Sequence, residues 1–328
     1  MSVIAFDGVC LGDGPVTGVG RAFLDGLRAF AASGDEECVL LAPAGAEVED
    51  LPGVRRVAAP RGRLRRQRQL PGLLRALGAD MLHSSVAAVP LRAPCPTIAT
   101  VHDLPWLHPE LGERTSWWRR FATARALRSA ARVLAPSTMT MRDARRLLGR
   151  DGDRVALVPH GAPEATTTSG DQRDGPLLVL GDDRPRKNRA RISAAHARLD
   201  PSDRPLLRFV GPPDDYVDEA EKRALLQRCR AVVHASRFEG FGLPVLEALA
   251  HGAPLVCSDI EPLREIAGDV PRYVDPDDTA SIAAGLEAVL RDRDLRRRQV
   301  SAGPARAADF SLRRLADSWR RVHAEVLR

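Results

Sequence analysis

Short apolar, β-branched runs alternate with segments of helical period along almost the whole chain, a pattern that calls for parallel strands buried under crossover helices. The fold class is therefore α/β. In the first half the strand candidates are Val3 to Phe6, Cys38 to Leu41, Val54 to Ala58, Met81 to His83, Thr97 to Val101, Val133 to Ala135 and Val155 to Val158, with helices starting near Gly20, Arg66, Thr115 and Thr138. Ala162 to Pro176 is polar, rich in Thr, Gly and Pro, and aperiodic, so it reads as a linker. A second series follows: strands at Leu177 to Leu180, Leu206 to Val210, Ala231 to Ala235, Pro254 to Ser258 and Arg272 to Val274. Helices are expected at Arg189 to Leu199, Asp218 to Cys229, Pro244 to His251, Pro262 to Ala267 and Thr279 to Asp292. The expectation is two doubly wound domains, residues 1–165 and 166–310, then a closing helix at 311–328 that packs back on the first domain. Such sheets bind ligands at the carboxyl ends of their strands, which predicts a site in a cleft between two facing domains.

The length of 328 residues suits two ordinary domains. No apolar run approaches the roughly 20 residues of a membrane span, and the first residues lack a signal-type pattern, so a cytoplasmic chain is expected. The cysteines Cys10, Cys38, Cys95, Cys229 and Cys257 are scattered without Cys-x-x-Cys spacing, which argues against a disulfide framework or zinc site. The net charge of +6 favours anionic substrates without calling for nucleic acid. Its make-up is more telling: all but two of the 49 basic residues are arginine, the lysines being Lys187 and Lys222, and Asn188 is the sole asparagine. One of the two lysines thus directly precedes the only asparagine, in Pro185-Arg186-Lys187-Asn188, which is either chance in a composition poor in both residues or a place that needs a compact ammonium a guanidinium does not replace.

The stretch with the most chemistry is Ser236 to Glu247, SRFEGFGLPVLE, between a buried strand and a helix. Pro244 suits a first helical turn, where its missing N–H costs nothing. Gly240 and Gly242 allow close backbone approach, so the amides from Gly240 through Phe241 and Gly242 to Leu243 can face oxyanions near the positive helix end. Glu247, one turn inside the helix, can accept two hydrogen bonds at once, as vicinal ribose hydroxyls require. Glu239 lies ahead of the helix, within reach of a sugar hydroxyl. Gly18 and Gly20, in Thr17-Gly18-Val19-Gly20-Arg21, fit neither the dinucleotide fingerprint nor the P-loop. His102 ends the strand TIATVHD, with Asp103 beside it to orient the ring. Asn188 is expected to cap the helix from Arg189 through its side-chain oxygen.

Glu239 and Glu247, within EGFGLPVLEALAHGAPLVCSD, resemble the paired glutamates of the family-4 retaining glycosyltransferases of GT-B fold. VTGVGR, RQRQLPGLLRALGADMLHS, TVHDLPWLHPE, RVLAPSTMTMRDARRLLG, VALVPHG, LLVLGDDRPRKN, EIAGDVPRYVDPDD and FSLRRLADSWRRVHAEVL follow in the order of that family, nearest its mannosyltransferase-like, lipopolysaccharide-type branch. The resemblance implies two Rossmann-like domains, the first for the acceptor and the second for a nucleotide-diphosphate sugar, which serves as co-substrate with no other cofactor and no metal. It implies catalytic roles for His102, Lys187 and Glu239. Donor contacts fall to Gly18, Gly20, Arg186, Lys187, Gly240, Phe241, Gly242, Leu243 and Glu247. The implied reaction moves a hexose, with retention of anomeric configuration, to a hydroxyl of a glycan, lipid-linked sugar or secondary metabolite, in polysaccharide or natural-product biosynthesis. The implied location is the cytoplasm or the inner face of the membrane.

Two departures qualify this. Between Lys187 and Ser236 there is room for one strand–helix unit where the family has two, so the second sheet should hold about five strands and discriminate weakly between bases. That gap also makes a noncatalytic sugar-nucleotide-binding or scaffold subunit the alternative reading. In the first domain Arg61, Arg63, Arg65, Arg66 and Arg68 form a basic cluster suited either to solvent or to weak peripheral contact with an anionic membrane.

Overall fold

The computed structural model describes residues 2–12, 16–46, 48–113, 115–164, 173–212 and 215–328. The chain divides into two compact units, Met1–Gly161 with Leu312–Arg328, and Ala162–Ser311. Most of the aperiodic stretch read as a linker, residues 165–172, lies outside the described residues.

In the first unit the elements are β1 (Val3–Asp7), α1 (Gly18–Ala31), β2 (Glu37–Pro43), β3 (Val54–Ala59), α2 (Arg63–Ala76), β4 (Met81–Ser84), β5 (Thr97–Thr100), α3 (Trp117–Ser129), β6 (Arg132–Ala135), α4 (Thr138–Leu148) and β7 (Val155–Leu157). The strands form one parallel sheet in the order β3-β2-β1-β4-β5-β6-β7, so the order reverses between β1 and β4. The helices start where short polar side chains meet their first amides. Thr17 accepts from Gly20, Ser116 from Arg119, and Ser137 from Thr140. The basic cluster is smaller than the sequence suggests. Arg66 is buried and its guanidinium binds Asp7 at the end of β1, so Arg61, Arg63, Arg65 and Arg68 are the members that face solvent.

The second unit runs β8 (Leu177–Leu180), α5 (Arg189–Ala197), β9 (Leu207–Val210), α6 (Glu219–Arg228), β10 (Ala231–His234), α7 (Leu243–Ala250), β11 (Leu255–Ser258), α8 (Glu261–Ala267), β12 (Arg272–Val274), α9 (Thr279–Arg291) and α10 (Arg293–Ala308). Its parallel sheet has five strands in the order β12-β11-β10-β8-β9, with the reversal at β8 and β10 and one strand–helix unit between β8 and β10. The helix α10 has no counterpart in the sequence reading, because its arginine-rich face and Gly303-Pro304 obscure the period. It is fixed by Asp292, whose side chain caps it, and by buried Gln299, which exchanges hydrogen bonds of 3.1 and 3.0 Å with the backbone of Leu255.

The last helix, α11 (Leu312–Leu327), belongs to the first unit. It presents Leu315, Ala316, Trp319 and Val322 to a core containing Phe6, Phe23, Leu27 and Phe30. His323 from this helix meets His83 of β4 across 3.0 Å, both rings buried among those aromatics.

Candidate active site

The site in the second unit stands at the strand reversal, where the carboxyl ends of β8 and β10 diverge. After β8 the chain turns through Gly181 into the short 3-10 turn Pro185–Lys187. After β9, Gly211 has φ +129°, and a Cβ there would fall 2.6 Å from the Gly181 carbonyl oxygen. Only glycine permits that approach. After β10 the chain runs through Ser236 to Gly242, which has φ +118° and caps α7; a Cβ on Gly242 would meet Leu263 Cδ2 at 2.4 Å. The amides of Val245 and Leu246 return to the Gly242 carbonyl, so the loop from Gly240 to Leu243 leads into the positive end of α7.

Lys187 Nζ donates to Glu239 Oε1 at 2.7 Å, with both side chains nearly buried, at 11% and 8% exposure. The same oxygen lies 2.8 Å from His234 Nε2, at the end of β10. Burial pushes the Glu239 carboxyl up, but Lys187 and His234 outweigh it and hold the group well below its usual range, so it is a carboxylate. Glu247, in the middle of α7, accepts from Lys222 Nζ at 2.9 Å; Lys222, on α6, also reaches Glu219 at 3.1 Å. Burial opposes the charge of Lys222, yet Glu247 and Glu219 together raise its pKa. Both lysines of the chain are thus spent on the two glutamates of one motif. Neither Lys222 nor His234 was singled out from the sequence as part of the site. Lys222 could have been marked by its rarity alone, whereas His234 carries no local signal.

Arg186 is buried, with its guanidinium 5.7 Å over the Phe238 ring. Phe241 is likewise turned into the core, 6.1 Å from Phe310, leaving its backbone to face the loop. Asn188 corrects the capping expectation. It takes a left-handed conformation, φ 62°, the one non-glycine residue among those described to do so, and its side chain makes no cap hydrogen bond. Instead its Nδ2 donates to the carbonyls of Ala235 and Pro276 at 2.9 and 2.6 Å, lashing the Lys187 turn to the ends of β10 and β12. Asparagine tolerates this backbone better than most side chains, and here the side chain ties down other segments.

Gly18, Gly20 and His102 lie in the first unit, at the carboxyl edge of its sheet. Gly18 opens α1 and is exposed; Gly20 is buried against Val16 and Leu11. His102 Nε2 is 2.7 Å from the Ser85 carbonyl and its Nδ1 is 3.2 Å from His160 Nε2, the two rings stacked at 5.2 Å. A carbonyl only accepts, so Nε2 of His102 carries the proton, Nδ1 accepts, and His160 Nε2–H donates. Burial lowers the pKa of His102 against the pull of Ser85 and Asp103, and lowers that of His160 to about 3. Both rings are neutral. Asp103 acts on His102 through its charge, while the hydrogen bonds that orient the ring come from Ser85 and His160.

All five cysteines are free, and among the described residues no group of three or more His, Cys, Asp or Glu side chains is placed to hold a metal ion. Among them, too, no helix is long and apolar enough to cross a membrane.

Comparison with known families matches residues 16–165 to Glycosyltransferase Family 4 and residues 214–306 to Glycosyl transferases group 1. The O-antigen chain mannosyltransferase B of Escherichia coli is 26% identical over 358 aligned positions, covering 90% of this chain and 93% of that protein. Sucrose-phosphate synthase from Thermosynechococcus elongatus superimposes with a TM-score of 0.80 at 17% identity, covering 99% of each chain. Anabaena HepE, solved with UDP and glucose, gives 0.74 at 16% identity over 99% of this chain and 100% of that one. With two parallel α/β units of seven and five strands and both family domains in order, the chain belongs to the glycosyltransferases of GT-B fold, a family 4 domain preceding a group 1 domain.

Proposed function

We propose that the protein transfers a hexose, with retention of anomeric configuration and without a metal, from a nucleotide-diphosphate sugar to a hydroxyl acceptor. The observation that carries this reading is the pairing of Lys187 with Glu239 and of Lys222 with Glu247 at the strand reversal of the second unit. An ammonium held in place by a buried carboxylate is a fixed cation, and beside the amides of Gly240 to Leu243 it meets the negative charge that gathers on a departing nucleoside diphosphate. Glu247, steadied by Lys222, receives the two ribose hydroxyls. Glu239 orients Lys187 and takes a sugar hydroxyl. In front-face attack the bond from the anomeric carbon to the leaving phosphate oxygen breaks as the acceptor oxygen bonds to the same face. The leaving phosphate accepts the acceptor's proton, so no protein nucleophile is needed. His102, Gly18 and Gly20 are the first unit's proposed contributors to donor recognition. The UDP and glucose bound by HepE and the mannosyl transfer named for the Escherichia coli relative support this donor class, with a glycan or lipid-linked sugar as acceptor.

The test is transfer from a panel of nucleotide-diphosphate hexoses to acceptor glycans and lipids, with product configuration read from anomeric NMR couplings. Retained configuration and activity lost in Lys187→Ala and Glu247→Ala are expected. Nucleotide-sugar binding without turnover across the panel would favour a noncatalytic subunit instead.

We also propose that the first unit makes peripheral contact with anionic membranes through α3. Trp117, Trp118 and Phe121 are 74%, 53% and 54% exposed beside Arg119 and Arg120, the combination that seats a helix at a lipid interface. Flotation with anionic but not zwitterionic vesicles, abolished by Trp117→Ser/Trp118→Ser, is the expected result.

A further inference from the structure

The second unit has another concave site, on the edge of its sheet away from Lys187 and Glu239. Arg230 and Pro254 immediately precede β10 and β11, so a cavity of about 390 Å³ that they line lies at the amino ends of these strands, while the donor motif follows their carboxyl ends. Its wall carries Arg173, Arg230, Arg293, Arg296, Arg297 and Ser301, and no carboxylate lines it among the described residues. Arg293, Arg297 and Ser301 recur at four-residue spacing along one face of α10. Two of the guanidinium groups are anchored without being neutralised. Arg173 donates to the carbonyls of Leu226, His251 and Gly252 at 2.8, 3.1 and 2.7 Å, and Arg296 to those of Val289 and Leu290 at 2.8 and 2.6 Å. Carbonyl oxygens fix a guanidinium's direction and leave its charge in place. The nearby acids stand outside its wall. Asp174 pairs with Arg228 at 3.0 Å and its charge also reaches Arg230, Glu287 pairs with Arg291, Asp294 stands 3.9 Å from Arg297, and Asp200 and Asp203 share a neighbouring hollow with Arg230.

Five guanidinium groups around one hollow repel each other well within a Debye length, and a concave wall concentrates their field. What relieves that repulsion is an oxyanion that several forked guanidinium groups can grip at once. The volume is in the range of small-molecule sites. We propose that this cavity is an accessory site for a compact phosphoanion bearing two or more phosphoryl groups, separate from the site for the donor diphosphate and independent of how that site is read. Ser301 adds a hydroxyl donor, and Pro254 and Val300 close the apolar side.

Calorimetric titration of the full chain with inorganic tripolyphosphate at low salt should resolve two classes of binding. Lys187→Ala should remove the class at the donor site, and Arg230→Gln/Arg293→Gln should weaken the other by about tenfold or more, both side chains lying outside the folded core. Hydrogen exchange of the Lys187→Ala protein should then show tripolyphosphate protecting the first turns of α10 and the segment before β10. Unchanged tripolyphosphate binding in Arg230→Gln/Arg293→Gln would overturn the site. So would sulfate matching tripolyphosphate at equal ionic strength, which would mark an adventitious ion only. Absence of any Lys187-dependent class, with the Arg230/Arg293-dependent class intact, would count against the donor reading and leave this cavity standing.

Discussion

Lysine is rationed in this chain, and both copies serve the same pair of carboxylates. Lys187→Ala leaves Glu239 buried with His234 as its remaining charge-compatible partner, so two losses are expected together. Transfer should fall by about 10²-fold, the usual effect of removing one preorganised group from a developing anion. Stability should fall by about 3 kcal/mol, the cost of orphaning one member of a buried pair, read by chemical denaturation. Lys222→Gln removes the ammonium shared by Glu247 and Glu219 and leaves the Lys187–Glu239 pair in place, so it should raise the donor KM by about tenfold with kcat largely kept, the pattern of lost uniform binding. Steady-state kinetics separate the two variants, and equal kcat losses in both would refute the division of roles. Glu239, Glu247 and Lys187 were legible in the sequence because each sits in a local pattern of glycines, proline and strand end. Lys222 and His234 were not, since they reach the site only by tertiary packing: residue 222 meets residue 247 across two helices.

At the level of elements, the second unit's strands and most of its helices could be read from apolar runs, but how segments are tied together could not. Asn188 looked like a cap because asparagine favours that position; its actual work, bonding to the ends of β10 and β12, depends on segments 47 and 88 residues away. The helix α10 was missed because arginines and a Gly-Pro pair hide a face whose key contact is a buried glutamine. The loop ahead of α7 is more constrained than its sequence shows. Gly242→Ala adds a Cβ at a positive φ and against Leu263, so about 2 kcal/mol of destabilisation with loss of donor binding is expected, measurable by thermal melting with and without nucleoside diphosphate. In the first unit the docking of α11 should depend on pH. Burial holds the His83 pKa well below its usual value and that of His323 at about 3, so both rings are neutral when folded. Their contribution is complete above the unfolded histidine value near 6.5 and is lost as pH falls below it, by about 1.4 kcal/mol per pH unit for each group. Melting temperatures between pH 7.5 and 5.5 should therefore drop less in His83→Leu/His323→Leu than in the natural chain. An identical slope would show that the pair stays protonated or is solvated.

Across the whole molecule, the alternating pattern of apolar runs was enough to foretell two parallel α/β units and a five-stranded second sheet, because each strand's burial is written in its own residues. Strand order was not, since it is set by which crossover returns to which edge. Removing residues 312–328 should leave the second unit folded, as its cores draw on residues 162–310. The first unit should lose its protease resistance and bind a hydrophobic dye, because Phe6, Phe23 and Phe30 then lack Trp319 and Val322. Limited proteolysis with peptide mapping distinguishes this from general unfolding. The same interleaving sets an order of birth on the ribosome. At roughly 5–20 residues per second the second unit is synthesised whole before Trp319 is added, so the part begun first must wait, its aromatic residues uncovered, for about 8 to 30 seconds while 150 later residues are joined, and that is the stage at which a nascent chain of this design most needs a chaperone.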